Sequence, residues 1–217
     1  MSESSLIESR NDNRKEQQYT PLVRIYAGAS CIGNGSIDAS AGCGAVLLDE
    51  NRLELKLVAK HLGSTTNQQA EILACAVALE QLRRCCRIEI VSDSRYVIDT
   101  MMGRELMDTN RSIWTRLIGA CFGHHISWRW VKGHAGVPFQ EVADRLARAA
   151  AKVNRDLSAE DLEDLSRHLS KGSGDLDIRA FEMELEKVIS RYCIADQSFV
   201  PDARFDGTGI LPSAFSA

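Results

Sequence analysis

The stretch WRWVKGHAGVPFQEVADRLARAAA, residues 128–151, contains side chains suited to acid–base and metal chemistry. Tryptophans alternate with polar residues over 126–131, which predicts a half-buried strand, and Pro138 suits the first turn of a following helix. The loop between them carries His134, and an imidazole is a side chain suited to proton transfer. The helix carries Asp144, and a carboxylate at such a strand–loop–helix corner could hold a metal ion. For this stretch alone, a solvated histidine and a surface aspartate are the alternative.

Two further carboxylates lie at positions where sites often form. The segment TTNQQAE opens a helix with Thr66 or Asn67 as its N-cap, and Glu71 lies in the first turns of that helix. Asp93 follows the strand RIEIV, at the edge where open α/β sheets bind ligands. Each has an ordinary structural alternative, because glutamate complements a helix N-terminus and aspartate is a common N-cap.

The elements that must position these side chains are predicted from the hydrophobic pattern. A first strand runs from Leu22 to Ala27 and is followed by a turn of small residues at 28–35. Two further strands, Gly42 to Leu48 and Leu53 to His61, are joined by a hairpin turn. A helix, a strand, two helices, a strand and a helix follow. This order predicts an α/β fold in which a mixed sheet has helices on its faces.

The composition indicates a globular protein of one domain with extensions. The chain has 217 residues, of which 44% are hydrophobic and 26% are charged. No apolar run is long enough to span a bilayer, and the N-terminal segment lacks the apolar core of a secretory signal, so we expect a cytoplasmic protein without a membrane partner. The seven cysteines include no CxxC pair, which favours reduced thiols over disulfides or a zinc site.

Charge divides the chain into three parts. Residues 1–21 are polar and are predicted to form a flexible tail. Residues 22–154 carry 16 basic and 13 acidic side chains, so a nucleic-acid-binding surface is compatible with the net charge of −4. Residues 155–217 carry 7 basic and 13 acidic side chains and are predicted to form an acidic, partly helical C-terminal extension. The apolar face of its second helix is expected to dock on the main domain or on a partner; this face comprises Leu185, Val188, Ile189 and Tyr192.

Four blocks of the sequence together resemble the signature blocks of type 1 ribonuclease H, in that family's order. They are IYAGASCIGN, TTNQQAEILA, SDSRYV and WVKGHAG with VADRLARAAA, and the resemblance covers residues 22–152. It implies a five-stranded mixed sheet, with three antiparallel strands followed by two parallel ones, flanked by helices. It also implies a nuclease that binds RNA–DNA hybrids and hydrolyses their RNA strand with two Mg²⁺ ions, which Mn²⁺ can replace.

The resemblance assigns roles to individual residues. Glu71, Asp93 and Asp144 match the family's metal-binding carboxylates, which suits the preference of Mg²⁺ for oxygen ligands. His134 matches a loop histidine that assists proton transfer and product release. Thr66 matches a contact to a phosphate of the DNA strand. Minor-groove contacts are implied at four further positions, namely Cys31, Asn34, Asn67 and Gln68.

Gly28 departs from the family's pattern at the first catalytic position. The family's first strand ends in an aspartate that bridges both metal ions, whereas this chain reads Ala27-Gly28-Ala29-Ser30. Without that carboxylate the paired-ion geometry loses the group that fixes its spacing. We expect a rate loss of about a hundredfold or more.

Three explanations of Gly28 are open at this point. Gly28 replaces an aspartate of a parent protein, either by design or because the active nuclease was toxic; the chain is a natural pseudo-nuclease; or Asp38 in the following loop supplies the missing carboxylate. The first is preferred to the second because the other catalytic residues all remain, and nothing structural requires that set. The third requires the loop to fold back over the site, whereas a loop aspartate is ordinarily solvated.

Two functions from different classes follow. The first is an RNA–DNA hybrid endoribonuclease that is inactive or impaired because of Gly28. The alternative is a natural, catalytically dead ribonuclease H-like module that binds hybrid, structured RNA or a protein partner. A protein partner or self-association is expected to use residues 155–217.

Overall fold

The structure is a computed structural model that describes residues 21–36, 38–170 and 176–197. Its strands are β1 (Leu22–Ile32), β2 (Ser40–Asp49), β3 (Glu54–Gly63), β4 (Arg87–Ser92) and β5 (His125–Trp130). Its helices are α1 (Asn67–Leu79), α2 (Arg95–Met101), α3 (Arg111–Cys121), α4 (Pro138–Val153), α5 (Ala159–Ser170) and α6 (Ile178–Gln197). The predicted N-terminal tail, apart from Pro21, lies outside the described residues.

The described strands form one sheet in the order β3-β2-β1-β4-β5. Strand β2 is antiparallel to both β1 and β3, whereas β4 is parallel to both β1 and β5. This confirms the predicted mixed sheet of three antiparallel strands followed by two parallel ones. Because β1 and β4 are parallel neighbours and Tyr26 pairs with Val91, the carboxyl end of β4 lies beside the part of β1 that leads to Gly28.

Strand β1 continues to Ile32, so the prediction that it ends at Ala27 is wrong. Its antiparallel pairing with β2 continues through Gly28, which lies opposite Gly44. The small residues here do not form a turn. Gly44 is needed because helix α4 packs so closely on the sheet that a Cβ there would collide with the helix backbone, whereas a Cβ at Gly28 would collide only with the side-chain carboxylate of Asp144, which can move aside.

The core has two layers, one on each face of the sheet. Successive residues of β1 point to opposite faces, so Ile25 and Ala27 pack with α1 and α3, whereas Tyr26 packs with α4. Val142 and Leu146 of α4 are fully buried, as the helical spacing predicts. By the same alternation Gly28 faces α4, and this places it opposite Asp144.

Helices α5 and α6 complete the second core layer. Phe181, Leu185 and Val188 of α6 are buried in the same cluster as Leu146 and Val153 of α4. The apolar face predicted for the extension therefore docks on the main domain. Within the described residues, no helix combines the length and the apolar character needed to cross a membrane.

Candidate active site

A cleft of about 350 Å³ lies where the carboxyl ends of β1 and β4 meet helices α1 and α4. It is lined by the four side chains assigned to catalysis by the sequence, which are Glu71, Asp93, His134 and Asp144. Gly28 also lines it, together with Ala27, Ala29, Ser30, Asn67, Ala74, Ser92 and Arg148. The fold thus brings together side chains that are distant in the sequence.

Glu71 is held at the cleft by hydrogen bonds to both of its carboxylate oxygens. Asn67, one turn earlier on α1, donates from Nδ2 to Oε1 at 2.7 Å. The Ser94 hydroxyl donates to Oε2. Burial raises the pKa of Glu71 and the charge of Asp93 acts in the same direction, while the two hydrogen bonds act against them. The carboxylate is therefore costly to keep charged and is already engaged by protein donors.

Asp93 follows β4 directly, and the end of β5 and the loop after it pack against Asp93. Trp130 Nε1 donates to the backbone carbonyl of Asp93 at 3.0 Å. The Arg95 guanidinium lies 3.9 Å from the centre of the Trp130 ring, a cation–π contact. Gly133 passes so near that a Cβ there would lie 2.6 Å from Asp93 Oδ2. The glycine after Lys132 is needed because the loop backbone lies against a carboxylate.

His134 lies in the loop between β5 and α4. Its φ of +53° is in the left-handed region, which is uncommon for a residue other than glycine. The side chain lines the cleft together with Asp144 and Arg148. Helix α4 then begins at Pro138, as the sequence predicts. The strand–loop–helix corner therefore delivers both an imidazole and a carboxylate to the same cleft.

Asp144 projects from α4 onto the backbone of β1. A Cβ at position 28 would lie 2.2 Å from Asp144 Oδ1, so the Asp144 carboxylate fills the space that Gly28 leaves. Gln140 donates from Nε2 to the same oxygen at 3.1 Å. Burial raises the pKa of Asp144 to about 6, and the nearby charge of Asp93 contributes to that increase. The Asp144 carboxyl group is therefore harder to ionise than an exposed aspartate.

Three of the side chains predicted to contact the minor groove lie together at the end of β1. Asn34 Oδ1 accepts a hydrogen bond from the backbone N–H of Asn67 at 3.2 Å. Cys31 Sγ donates to the backbone carbonyl of Thr65 at 3.1 Å. These contacts fix the turn after β1 to the start of α1. Asn67 also lines the cleft, so this surface is continuous with it.

The other two predicted nucleic-acid contacts, Thr66 and Gln68, are exposed at the start of α1. Thr66 is the N-cap of the helix, and it forms a capping box with Gln69. The side chain of Gln69 reaches α3, where its Nε2 donates to Asn110 Oδ1 at 3.0 Å. The capping box and the hydrogen bond to Asn110 therefore fix the start of α1, on which Thr66 and Gln68 are exposed.

Sequence reasoning missed two side chains at the site, Gln140 and Arg148. They lie four residues before and four residues after Asp144 on α4, so helical periodicity alone would have placed all three on one face. Arg148 is exposed at the cleft. Gln140 is only 2% exposed and touches Asp144 from within the protein.

The residues present do not fit the pair of metal ions that the family resemblance implies. Among the described residues, no group of three or more potential ligands is arranged to hold an ion. Both oxygens of Glu71 accept protein hydrogen bonds, and Asp144 lies over Gly28. Asp38 is exposed in the turn after β1 and does not line the cleft, which argues against the explanation that it replaces the missing carboxylate.

The fold and the site together define a class of protein, an α/β nuclease whose acidic residues converge at the carboxyl ends of two parallel strands. The sequence profile of the RNase H family matches residues 20–152, more than half of the chain, and the protein belongs to the ribonuclease H family. By family it is a hydrolase and a nuclease, and its family uses divalent metal ions. The resemblance noted from the sequence blocks is confirmed.

Individual relatives match over the same region. Ribonuclease H of Phenylobacterium zucineum (strain HLK1) is 39% identical over 142 residues, which cover 59% of this chain and 90% of that protein. Ribonuclease HI of Shewanella oneidensis is 38% identical over 146 residues, covering 61% and 89%. The crystal structure of LC9-RNase H1, a type 1 RNase H with the type 2 active-site motif, matches with a TM-score of 0.58 and 27% identity, covering 70% of this chain and 83% of that chain.

Proposed function

We propose that this protein is an endoribonuclease for the RNA strand of RNA–DNA hybrids, and that the chain with Gly28 is inactive or strongly impaired. The observation that carries the proposal is the convergence of Glu71, Asp93 and Asp144 on one cleft around Gly28. Burial, and to a lesser extent the nearby charge of Asp93, raises the pKa values of Glu71 and Asp144, so keeping these groups charged opposes folding. Such a cluster is expected where the charges serve a reaction.

The side chains have distinct proposed tasks. Divalent ions, Mg²⁺ with Mn²⁺ as a substitute, are proposed only for a form with aspartate at position 28, where a fourth carboxylate completes the set. His134 would exchange a proton with the reacting strand at the cleft. The hybrid would be held by Thr66 at a DNA phosphate and by four minor-groove contacts, from Cys31, Asn34, Asn67 and Gln68. The 2′-hydroxyl distinguishes the RNA strand.

Gly28 accounts for the proposed impairment. It offers no side chain, and Asp144 occupies the space in which an aspartate at this position would begin. Loss of one positioned charged group at a reacting centre costs about a hundredfold or more in rate. We therefore expect this chain to bind hybrid and to cleave it at least that much more slowly than its Gly28→Asp form.

The reaction class is tested with hybrids labelled separately on each strand. In Mg²⁺, the Gly28→Asp form should cleave the RNA strand and leave the DNA strand intact. Asp93→Asn in the same background should abolish cleavage. Asp99→Asn serves as the matched control and should retain activity, because Asp99 lies on α2 and pairs with Arg104. Cleavage of the DNA strand, or full activity of the Asp93 variant, would overturn the proposal.

A second candidate function, a binding module without catalysis, is favoured by one observation. The predicted groove contacts are fixed by their own hydrogen bonds, from Asn67 to Asn34 and from Cys31 to Thr65, and none of these needs a side chain at position 28. A natural module of this kind would bind hybrid or structured RNA with strong salt dependence. No substitution at position 28 would then produce cleavage.

The extension offers one proposed surface for a protein partner or for self-association. Met183 and Ile194 are 65% and 67% exposed on α6, whereas the opposite face of this helix is packed on the main domain. A partner of the extension would therefore bind the outer face of α6. The cytoplasmic location stays a prediction from the sequence.

A further inference from the structure

Gln140 is a buried amide that connects the backbone of β1 to the side chain of Asp144 at the cleft. It lies in the first turn of α4 and is 2% exposed. Its Nε2 donates to the backbone carbonyl of Ala27 at 3.1 Å and to Asp144 Oδ1 at 3.1 Å. One NH₂ group therefore ties β1, at the residue before position 28, to the Asp144 carboxylate.

The orientation of this amide is fixed by its partners. A backbone carbonyl accepts hydrogen bonds and does not donate them, and an ionised carboxylate does the same, so the NH₂ group must face both. The other end of the amide, Oε1, is left buried without a hydrogen-bond partner among the described residues. A buried acceptor without a donor is unfavourable, and an apolar side chain would avoid it. The packing alone does not explain a glutamine here, whereas its two donated hydrogen bonds do.

The hydrogen bond from Gln140 to Asp144 lies at the point of the site where position 28 and Asp144 meet. The oxygen that Gln140 holds is the one that lies 2.2 Å from where a Cβ at position 28 would be. Gln140 also donates a hydrogen bond to the carbonyl of Ala27, the residue before position 28. Gln140 therefore holds both the Asp144 carboxylate and the β1 backbone next to position 28. The distance between these two groups decides how much room Asp144 leaves for a side chain at position 28.

We propose that Gln140 is a positioning residue that sets the Asp144 carboxylate against position 28. This inference rests on the proposed function and deepens it, because it names the residue that keeps two of the required carboxylates in register. Gln140 does not touch substrate. It acts through Asp144 and through the end of β1.

The kinetic test is made in the Gly28→Asp background. Gln140→Met keeps the length of the side chain but removes both donors, and it should lower kcat at least tenfold while KM for the hybrid changes less than twofold. The concentration of Mg²⁺ for half-maximal rate should rise. Gln140→Glu, which replaces the donors by a charge facing Asp144, should be at least as damaging. An unchanged kcat in Gln140→Met would overturn the inference.

A matched control separates positioning from general loss of stability. Gln81 also donates from Nε2 to a backbone carbonyl, that of Val77 at 3.2 Å, and it does not line the cleft. Gln81→Met should leave kcat and the Mg²⁺ requirement unchanged at temperatures where both variants are folded. Equal losses of kcat in the two variants would show that Gln140 has only a structural role.

A second measurement does not depend on catalysis and uses the chain with Gly28. Thermal melting is recorded without metal for Gln140→Met, Asp144→Ala and the double variant. If Gln140 holds Asp144, the changes in Tm should not add, because either single substitution already breaks the same hydrogen bond. Additive changes would overturn the inference. A Gly28→Asp form that fails to cleave would instead overturn the proposed function, and this melting cycle would still decide the role of Gln140.

Discussion

The Asp144 carboxyl group shows how one missing side chain alters its neighbour. It lies in the space over Gly28, where it is partly buried and close to Asp93. Both effects disfavour its charged form, and the single hydrogen bond from Gln140 offsets them only in part. The native state therefore holds a proton on this group more tightly than the unfolded chain does.

Removing the charge at position 144 should stabilise the protein, and the gain should grow with pH. Because the folded-state pKa is raised to about 6, the contribution of Asp144 to stability is complete below its unfolded-state pKa and is lost as pH rises through about 6. Asp144→Asn should therefore increase the free energy of unfolding by about 1–2 kcal/mol more at pH 7.5 than at pH 4.5. Urea unfolding with a metal chelator present, at several pH values, measures this. A gain that shrinks as pH rises would contradict the argument.

Helix α4 lies unusually close to strands β1 and β2, and glycines make this approach possible. A Cβ at Gly44 would lie 2.1 Å from the carbonyl oxygen of Ala143 and 2.6 Å from the backbone nitrogen of Ala147. Both atoms belong to the backbone of α4, so neither can rotate aside. The same approach brings Asp144 to the end of β1. Helix packing and site geometry are thus consequences of the same small residues.

Gly44→Ala should destabilise the fold because the helix must move away from the sheet. We expect a loss of about 2–4 kcal/mol in the free energy of unfolding. Gly119 provides a matched control, because it lies on the exposed side of α3 and a Cβ there would contact nothing within 4 Å. Gly119→Ala should stabilise by about 0.5–1 kcal/mol, the usual helix preference for alanine. Chemical denaturation measures the free energy of unfolding of both variants. Equal effects of the two substitutions, or a larger loss for Gly119→Ala than for Gly44→Ala, would refute the packing argument.

Local sequence patterns predict the elements well but miss what close packing does to them. Alternating and helical hydrophobic periods predict the order of strands and helices. Capping preferences predict a cap at Thr66 or Asn67 and a helix start at Pro138, and the structure shows Thr66 as the cap. The run of small residues after Ala27 is also a turn signal, so the sequence wrongly predicts that β1 ends there. The pairing of Gly28 with Gly44 of β2 shows that Gly28 belongs to the strand, and Gly28 faces α4, which comes more than a hundred residues later in the chain.

The C-terminal extension is part of the main core as far as the structure describes it. Helix α6 packs on α4, whereas α5 packs on β3 and on α6. Ion pairs join α4 to α6, including Arg145 with Glu182 at 2.6 Å. Lys152 and Glu186 lie 3.9 Å apart further along the same helices. The acidic charge of the extension is thus placed against basic residues of α4 beside the cleft.

Packing of α6 should contribute to the stability of the whole protein. Leu185→Ala removes a side chain that is 4% exposed in the shared core and should cost about 2–5 kcal/mol. Met183→Ala, on the outer face of the same helix, should change the free energy of unfolding by less than about 0.5 kcal/mol. A single unfolding transition is expected for both variants. Separate melting of the extension, with an unaffected main domain, would contradict the shared core.

Glu182 should weaken the binding of nucleic acid at the cleft. It borders a hollow shared with His134, Asp144 and Arg148, and it neutralises Arg145. Glu182→Gln should tighten hybrid binding by about two- to fivefold, because it removes a negative charge beside the cleft and leaves Arg145 with Glu141 as its remaining ion-pair partner. Glu163→Gln on α5, which breaks a pair with Arg167 away from the cleft, is the control. Equal effects of the two variants on affinity would mean that only net charge matters.

The site could be predicted from the sequence in its parts but not in its geometry. The four residues predicted to be catalytic lie in recognisable sequence blocks, and all four line one cleft. Their mutual distances depend on how α4 packs on β1, which no local pattern encodes. For this reason the buried amide of Gln140 and the placement of Asp144 over Gly28 emerge only from the folded molecule.

The most direct test of the account is the single-turnover rate of RNA-strand cleavage by this chain and by its Gly28→Asp form, measured side by side on one RNA–DNA hybrid in Mg²⁺. We predict that the aspartate form is faster by about a hundredfold or more, because position 28 lacks the carboxylate while the other four predicted catalytic side chains line one cleft. Equal rates would contradict this. If both rates were zero although both proteins bound the hybrid, the chain would be a binding module and the proposed catalytic function would be wrong.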